Sequence, residues 1–398
     1  MTEKILVLDC ETESIEKGHP FHPDNFLCTV HYVDHCSNVG TFLFQYPDKD
    51  NPYGDTIIEL QDLIDRHDVI VAFNAKFDLH WLRRYNIKFQ HKEIRDIQYL
   101  YYILRAQTCK FPSLNEVLTW LGLPQKMDRV SEYWDMGYMT SEIPEDVLVE
   151  YGEEDARLTS QAYNMLWKKL NDLNDDALTN NYRVHMVDLL VLEEMEWNGD
   201  YYNLKSASKA AEVLTGYIAE IDNWFKALLP QVPDFNPGSN DQLSALLYGG
   251  KIYSKRKEHI GYFKSGKRVG EPKYKNVVDE IILPGWVTPN PKWATQKEGY
   301  YSVDQGILNN IRAKGMGKTI IDMSLRRSKY SKQLSTYCNS IFDLVQKFGW
   351  QVTDDQHAVL HGNLNQCAAI TGRLASSNPN RQNIDGSLKF LFESRYAN

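Results

Sequence analysis

Two carboxylates lie one residue apart near the start of this 398-residue chain. Asp9 and Glu11 end an apolar run over residues 4–8 that predicts a β-strand. Alternate residues of a strand point to the same face, so both carboxylates are expected on one side. Two such carboxylates repel each other unless a cation lies between them, and a divalent metal ion is suited to that position. Alone, this pattern is more typical of a solvated strand end.

Two further segments supply carboxylates. NAKFD ends in Asp78, follows a buried strand predicted at 69–73 and opens a helix. YGEED lies on a predicted helix, where the i, i+4 spacing places the Tyr151 hydroxyl and the Asp155 carboxylate on one face. Each segment alone has an ordinary explanation, a helix-capping aspartate and a packing tyrosine. Their occurrence in this order favours a single carboxylate-lined site.

Together these segments resemble the three motifs of the proofreading 3′–5′ exonucleases that use four acids and a tyrosine. The resemblance covers roughly the first 170 residues and implies an α/β, RNase H-like domain with a mixed sheet and flanking helices. It implies two divalent metal ions, Mg²⁺ or Mn²⁺. Asp9, Glu11 and Asp155 would bind the first ion, Asp9 would bridge to the second, and Asp78 would help to hold that one. Tyr151 would orient the attacking water.

The second half resembles family A DNA polymerases. Predicted helices at 178–197 and 205–229, broken at Asn-Gly-Asp and expected to form an antiparallel pair, resemble the thumb, as do FNPGSNDQLSALLY and MSLRRSKYSKQLSTY. TGRLASSNPNRQNI resembles a segment that contacts duplex DNA near the primer end, which implies that Arg373, Gln382 and Asn383 contact DNA. Such side chains can bind groove-edge acceptors common to all base pairs. A loop without a partner is the alternative.

Two departures from that family affect the expected activity. The chain has Arg-Gln-Asn-Ile-Asp at 381–385, where the family usually has Leu-Gln-Asn-Ile-Pro. The sequence up to Asn398 lacks the strand with the first polymerase aspartate and the fingers. We therefore expect no DNA synthesis from this chain alone. It would be either a truncated product or the partner of a second polypeptide that carries the palm and fingers.

A basic insertion is predicted within the helical region. Residues 251–275 contain nine basic and two acidic residues, including Lys264, Lys267 and Arg268 in a predicted hairpin. This hairpin could bind duplex phosphates or dock a processivity factor, and a merely solvated loop is the alternative. The overall net charge of −9 excludes neither nucleic acid nor metal, because residues 1–170 carry −11 and the remainder +2.

The chain is accordingly divided into three predicted parts. Residues 1–172 form the exonuclease domain, 173–348 form a mainly helical thumb-like region with the basic insertion at 249–300, and 349–398 begin an incomplete palm. Residues 94–104 are predicted to be wholly helical. The expected partners are single-stranded and primer–template DNA. Two rival functions are a non-catalytic, DNA-holding half of a split polymerase and a stand-alone RNA 3′-end trimming exonuclease.

Several other patterns are set aside. No signal segment or membrane-spanning run is apparent, and six cysteines without a regular spacing indicate reduced thiols. We therefore expect no membrane partner and a cytoplasmic location, with a phage-infected bacterium as the host. The segment GMGKT (315–319) is predicted to be an interhelical turn and not a phosphate loop. Six His and Cys residues match no compact zinc module; they are His19, His22, Cys28, His31, His35 and Cys36.

Overall fold

The computed structural model describes residues 3–44, 54–126 and 129–395. It divides the chain into two compact units. The first unit comprises Met1–Leu204 together with Phe342–Asn398, and the second comprises Lys205–Ile341. The three-part division stays a prediction, but the C-terminal residues expected to begin a palm cluster with the N-terminal unit.

A five-stranded mixed sheet with the order β3-β2-β1-β4-β5 lies at the centre of the first unit. The central strand β1 pairs antiparallel with β2 and parallel with β4. This arrangement confirms the predicted mixed sheet. The strands are β1 (Ile5–Thr12), β2 (Leu27–Val33), β3 (Val39–Leu43), β4 (Val69–Ala72) and β5 (Glu93–Asp96).

Strand β5 corrects the prediction of one continuous helix at 94–104. Its residues pair in parallel with β4, with Ile94 opposite Ile70. The helix begins only at Ile97, because Asp96 caps it by accepting hydrogen bonds from the backbone N–H groups of Gln98 and Tyr99. The apolar periodicity of the segment did not reveal this boundary.

Helices of the first unit flank this sheet, and one continuous apolar core, which includes Leu6, Leu8 and Ile70, joins helices and strands. The short helix α5 had not been predicted. The helices are α1 (Gly54–Asp65), α2 (Ala75–Arg84), α3 (Ile97–Leu104), α4 (Leu114–Leu121), α5 (Arg129–Asp135), α6 (Glu145–Asp172) and α7 (Asp176–Asn198).

The break after α7 is a strand and not the predicted tight turn. Residues Asp200–Asn203 form β6, which separates α7 from α8 (Leu204–Leu228). Helix α7 packs against α2 and β5 within the first unit, whereas nearly all of α8 belongs to the second unit. The two predicted helices are present, but the strand β6, and not a tight turn, connects them.

The second unit contains helices and one long antiparallel ribbon. Ser239 caps α9 by accepting from the Gln242 N–H group. GMGKT forms the first turn of α11 and not an interhelical turn, and the element before it is a helix, so it lacks the strand that a phosphate loop follows. The elements are α9 (Asn240–Tyr248), β7 (Gly250–Tyr262), β8 (Pro272–Leu283), α10 (Gln305–Leu308) and α11 (Gly315–Gln333).

After a π-helical turn (Leu334–Asn339), the chain returns to the first unit at Phe342, within α12 (Ser340–Phe348). A three-stranded sheet with the order β12-β6-β9 is completed there by β9 (His357–Leu360) and β12 (Phe392–Glu393). A separate hairpin joins β10 (Asn363–Asn365) to β11 (Ala375–Ser377). Among the helices in the described ranges, none combines the length and the hydropathy that crossing a membrane requires.

Helix α6 lies unusually close to β2 at Gly152. A Cβ atom at this position would lie 2.0 Å from the Nε2 atom of His31. His31 is buried, and its ring bonds to the Thr29 hydroxyl at 2.7 Å and the Thr41 hydroxyl at 2.9 Å. Burial lowers the pKa of His31 to about 3, so this ring is neutral, and both of its nitrogens bond to hydroxyl groups.

The substitution Gly152→Ala is expected to destabilise the protein by about 1–3 kcal/mol, because the added methyl group overlaps a ring that cannot move without losing hydrogen bonds. Urea unfolding followed by circular dichroism measures this change. Gly216→Ala on α8 is the matched control, since nothing lies within 4 Å of its added Cβ, and alanine there should be neutral or stabilising. Equal effects of both substitutions would contradict the close packing of α6.

Candidate active site

Three carboxylates converge where β1 meets α6. Asp9 and Glu11 lie on the same face of β1, and Asp155 lies on α6. One oxygen from each of the three lies within 4.8 Å of the others. The strand spacing and the helix motif, which are separate signals in the sequence, thus meet at one point.

Asp78 lies beside this cluster, in the first turn of α2. It is 4% exposed, and its Oδ1 atom accepts a hydrogen bond of 3.0 Å from the backbone N–H group of Cys10. Asp78 therefore ties α2 to the strand that carries Asp9 and Glu11. Its predicted role at a second metal ion stays a prediction.

Asp96 fixes the turn that leads into NAKFD, and it was not predicted from the sequence. Its carboxylate accepts hydrogen bonds from the backbone N–H groups of Asn74 at 3.2 Å and Ala75 at 3.0 Å. Asn74 adopts a left-handed conformation with φ of 59°, which asparagine tolerates better than most residues. Because Asp96 also caps α3, it couples the position of Asp78 to the end of β5. Its role was hidden by the incorrect helix prediction over this segment.

Burial and mutual repulsion raise the pKa values of the clustered acids. Burial, and then the Asp155 charge, raise the pKa of Asp9 to about 7. Burial, and then Asp9, raise the pKa of Glu11 and of Asp78 well above their ordinary values. Each ionised carboxylate therefore disfavours the ionisation of its neighbours, and a cation placed among them would relieve this cost.

The same acids have oxygens available for a cation. Asp9 Oδ2 and Asp155 Oδ1 are buried, and neither has a hydrogen-bond partner in the described part of the chain. Buried polar atoms are otherwise almost always satisfied. Hard carboxylate oxygens are the ligands that Mg²⁺ and Mn²⁺ prefer. The donor set therefore suits a divalent metal ion.

Lys126 extends into this cluster from the segment after α4, and it was not predicted from the sequence. Its Nζ atom contacts Asp155 Oδ2, donates to the Tyr151 hydroxyl at 3.0 Å and lies 5.0 Å from the Tyr151 ring centre. The Tyr151 hydroxyl also bonds to the Asp155 side chain. Nothing in the spacing of the acidic motifs indicates this lysine, because it lies on a connecting segment outside all of them.

A cavity of about 560 Å³ opens beside the cluster. Glu11 borders it, and Phe77, Trp134 and Tyr138 supply aromatic walls. Trp134 and Tyr138 are 37% and 46% exposed. The sequence signal for this wall is the aromatic run YWDMGYM, which was not among the predicted features. The cavity offers flat apolar surfaces next to the carboxylates.

A buried glutamate holds the far wall of this cavity in place. Glu13 is 3% exposed and accepts hydrogen bonds from the Thr140 N–H group at 2.9 Å and the Ser141 hydroxyl at 2.5 Å. Glu13 directly follows β1, which ends at Thr12. The strand that positions Glu11 therefore also helps to position the segment after α5.

A buried ionic network fixes the helix that carries Asp78. On α7, Glu196 binds the Nζ atom of Lys76 at 2.6 Å and the Nε2 atom of His80 at 2.9 Å. Glu193 binds the other nitrogen of His80 at 3.2 Å. Although burial lowers the pKa of His80, the Glu193 and Glu196 carboxylates raise it above its ordinary value. Glu196 also accepts from the Leu364 N–H group at 2.5 Å. This one carboxylate on α7 therefore connects α2 and β10.

The implied DNA contacts all lie on exposed surface. Arg373, Gln382 and Asn383 are exposed on the C-terminal part of the first unit. Their neighbour Arg381 is instead anchored, with an ion pair of 2.9 Å to Asp200. Lys264, Lys267 and Arg268 are exposed on the loop between β7 and β8 in the second unit. Arg268 forms an ion pair of 2.6 Å with Glu271, and DNA binding by all six stays a prediction.

The six His and Cys residues do not form one cluster in the described structure. His35 and Cys36 lie with Asp34 at the β2–β3 turn, where ligand atoms of the three lie close together. The Asp34 carboxylate accepts from the Cys36 and Asn38 N–H groups at 2.8 Å, as a turn-stabilising aspartate does.

The raised pKa of Asp9 predicts how stability varies with pH in EDTA. Its folded pKa of about 7 lies above the ordinary 3.8, so the folded state favours the protonated acid. This stability is present at low pH and is lost as the pH rises from about 4 through about 7, by up to about 4 kcal/mol. Thermal unfolding between about pH 5 and about pH 8 measures the loss, and Asp9→Asn should flatten the curve. A flat wild-type curve would contradict the raised pKa.

Both halves of the chain match known families. The family model for 3′–5′ exonuclease matches residues 3–171, and that for DNA polymerase family A matches residues 205–396. The first range contains the three clustered carboxylates and Asp78. The second contains the segment from Thr371 to Ile384.

Individual relatives agree with these matches. DNA polymerase I of Treponema pallidum (strain Nichols) is 24% identical over 317 residues, which cover 79% of this chain and 26% of that protein. The thermostable DNA polymerase I of Thermus filiformis is 36% identical over 94 residues, which cover 24% of this chain and 10% of that protein.

A solved structure, the POL domain of Pol1 from M. smegmatis in complex with DNA primer-template and dNTP, has a similar fold. Its TM-score is 0.63 at 15% identity, and the match covers 96% of this chain and 52% of that one. The chain thus spans about half of that solved chain and about a quarter of the Treponema relative. It consists of a 3′–5′ exonuclease domain followed by part of a family A DNA polymerase region.

Proposed function

We propose that this chain is a divalent-metal-dependent 3′–5′ exonuclease that removes nucleotides from DNA 3′ ends during proofreading. The observation that carries this proposal is the convergence of Asp9, Glu11 and Asp155 within 4.8 Å, inside the range that the exonuclease family matches. The orphaned oxygens of Asp9 and Asp155 support a cation there.

In the proposed mechanism, each side chain has a separate task. Asp9, Glu11 and Asp155 would hold one metal ion, and Asp9 and Asp78 would hold a second. Bound metal ions stabilise the charge on the attacking and leaving oxygens of phosphodiester hydrolysis. The Tyr151 hydroxyl, fixed by Lys126 and Asp155, orients the attacking water.

The cavity beside Glu11 is proposed to receive the unpaired 3′ end. Bases stack on aromatic side chains without regard to sequence, and Phe77, Trp134 and Tyr138 line this cavity. A mismatched end, which separates from its template more easily than a paired end, would reach the carboxylates first. This preference for unpaired ends suits a proofreading enzyme.

The polymerase-like region is proposed to hold primer–template DNA. Arg373, Gln382 and Asn383 would contact the duplex. The β7–β8 ribbon is supported as a second contact because both strands are largely exposed and a two-stranded ribbon can enter the major groove. A processivity factor could dock there instead. We further propose that the chain is phage-type and acts in the cytoplasm of an infected bacterium, together with a second polypeptide.

A non-catalytic clamp is the alternative, since the same fold could hold DNA without cleaving it. The exposed lysine and arginine side chains of the ribbon would serve either function. The two differ at the clustered acids, which a clamp does not need. Ribonuclease activity well above the DNA activity would instead favour an RNA 3′-end trimming enzyme.

Asp9→Ala and Asp155→Ala are each expected to lower the rate of single-stranded DNA digestion with Mg²⁺ by more than about 100-fold, because each removes a metal ligand. Tyr151→Phe should cost only about tenfold, since a single hydrogen bond is removed. Release of 3′-terminal nucleotides from an end-labelled strand measures these rates.

Glu150→Ala is the matched control for these variants, because Glu150 is an exposed acid one residue before the motif on α6, and its rate should equal that of the wild type. Undetectable digestion by all proteins, the wild type included, would favour the clamp. A larger loss for Tyr151→Phe than for Asp155→Ala would contradict the assigned roles.

The double variant Lys264→Ala/Lys267→Ala is expected to weaken duplex binding with little dependence on sequence. The slope of log K against log salt should fall by about 0.9 for each phosphate that the two lysines no longer neutralise. Fluorescence anisotropy at several salt concentrations measures the slope. Lys88→Ala/Lys168→Ala removes two exposed lysines of the first unit and should leave the slope unchanged. Equal slopes for both variants would exclude phosphate binding by the ribbon loop.

A further inference from the structure

Lys126 is a basic side chain placed among the acids of the candidate active site. Its Nζ atom contacts Asp155 Oδ2 and the Tyr151 hydroxyl, and its charge also lowers the pKa of Asp9 and Glu11 against the larger effect of burial. The ammonium group thus contacts one acid of the cluster, and its charge acts on the other two. No acidic motif of the sequence predicts it.

We propose that Lys126 is the internal counter-ion of the metal site, and that a divalent cation competes with its ammonium group for these carboxylates. This inference rests on the proposed function, because it concerns the same metal site. Lys126 is a positioning residue: it holds the acids and the Tyr151 hydroxyl in place and does not itself bind the metal.

The two cations compete at Asp155. Its Oδ2 atom contacts the ammonium group of Lys126, whereas its Oδ1 atom is buried without a hydrogen-bond partner in the described part of the chain. A divalent ion held on Oδ1 would bind at roughly 2.0–2.6 Å, so it would lie close to the ammonium group and the two charges would repel each other. Binding of the metal ion therefore favours movement of the lysine away from Asp155.

Lys126 is able to move without disrupting the fold. Its side chain is 23% exposed, whereas that of Asp155 is 3% exposed. The lysine lies on a connecting segment after α4, and its long aliphatic stem has several rotatable bonds. The acids, by contrast, lie on β1 and α6. The ammonium group can therefore swing toward solvent.

The test compares wild type with Lys126→Met, which keeps the length of the side chain and removes the charge. At a fixed pH of about 8.5, the variant should bind Mn²⁺ about five times more tightly or better, because a like charge next to the ion is gone. Free Mn²⁺ is counted by electron paramagnetic resonance, so the measurement does not depend on activity. Lys168→Met, at an exposed position on α6, should bind as the wild type does.

Thermal unfolding supplies the second measurement. In EDTA, Lys126→Met should unfold at least about 3 °C below the wild type, because the acids have lost their counter-charge. With saturating Mn²⁺ this difference should disappear. A purely structural lysine would instead leave the same deficit in both conditions. Lys126→Arg, which keeps the charge, should stay close to the wild type in EDTA and confirms folding if the methionine variant is too unstable.

The two proposals fail in different ways. The counter-ion proposal alone would be overturned if Lys126→Met bound Mn²⁺ as tightly as the wild type or more weakly while Asp9→Ala abolished binding. Equal Mn²⁺ binding by Asp9→Ala and wild type would overturn the metal site itself. Tighter binding by Lys126→Met together with loss of binding by Asp9→Ala supports both.

Discussion

Repulsion among closely spaced carboxylates is the constraint on which the first unit depends. At 4.8 Å, two ionised acids cost about 3 kcal/mol at an effective dielectric constant of roughly 20. Such a cluster forms only where rigid elements force the acids together. Here β1 fixes Asp9 and Glu11, and α6 packs so tightly on β2 at Gly152 that Asp155 has little freedom. The fold thus favours the binding of a cation among these acids.

Supporting contacts extend this rigidity beyond the acids. Asp96 holds the turn before α2 through backbone N–H groups, and Asp78 ties α2 to β1. The ionic network between α2 and α7 then fixes the outer face of α2. Each contact involves only a few neighbouring groups in space. Together, these contacts link strands, helices and the C-terminal hairpin. A precise carboxylate geometry therefore depends on residues far from it in sequence.

Much of this arrangement could be predicted from sequence, because the relevant signals were local. Strand alternation places Asp9 with Glu11, and helical spacing places Tyr151 with Asp155. The missed features depend on tertiary context. The strand at Glu93–Asp96 is short and runs directly into a helix, so its apolar residues read as helical. Lys126 lies on a connecting segment, and Trp134 lies on the short helix α5, which was not predicted. Only the packed chain brings these two residues to the site.

Helix α7 belongs to neither matched family range, because it lies between residue 171 and residue 205. It nevertheless supplies the carboxylates that neutralise Lys76 and His80 inside the first unit. A nuclease fragment cut where the exonuclease match ends would lose these ion pairs and would expose the apolar surface that α7 covers. The smallest independently folding nuclease would need α7 and the strands that follow α12. The evolutionary module is therefore shorter than the physical one.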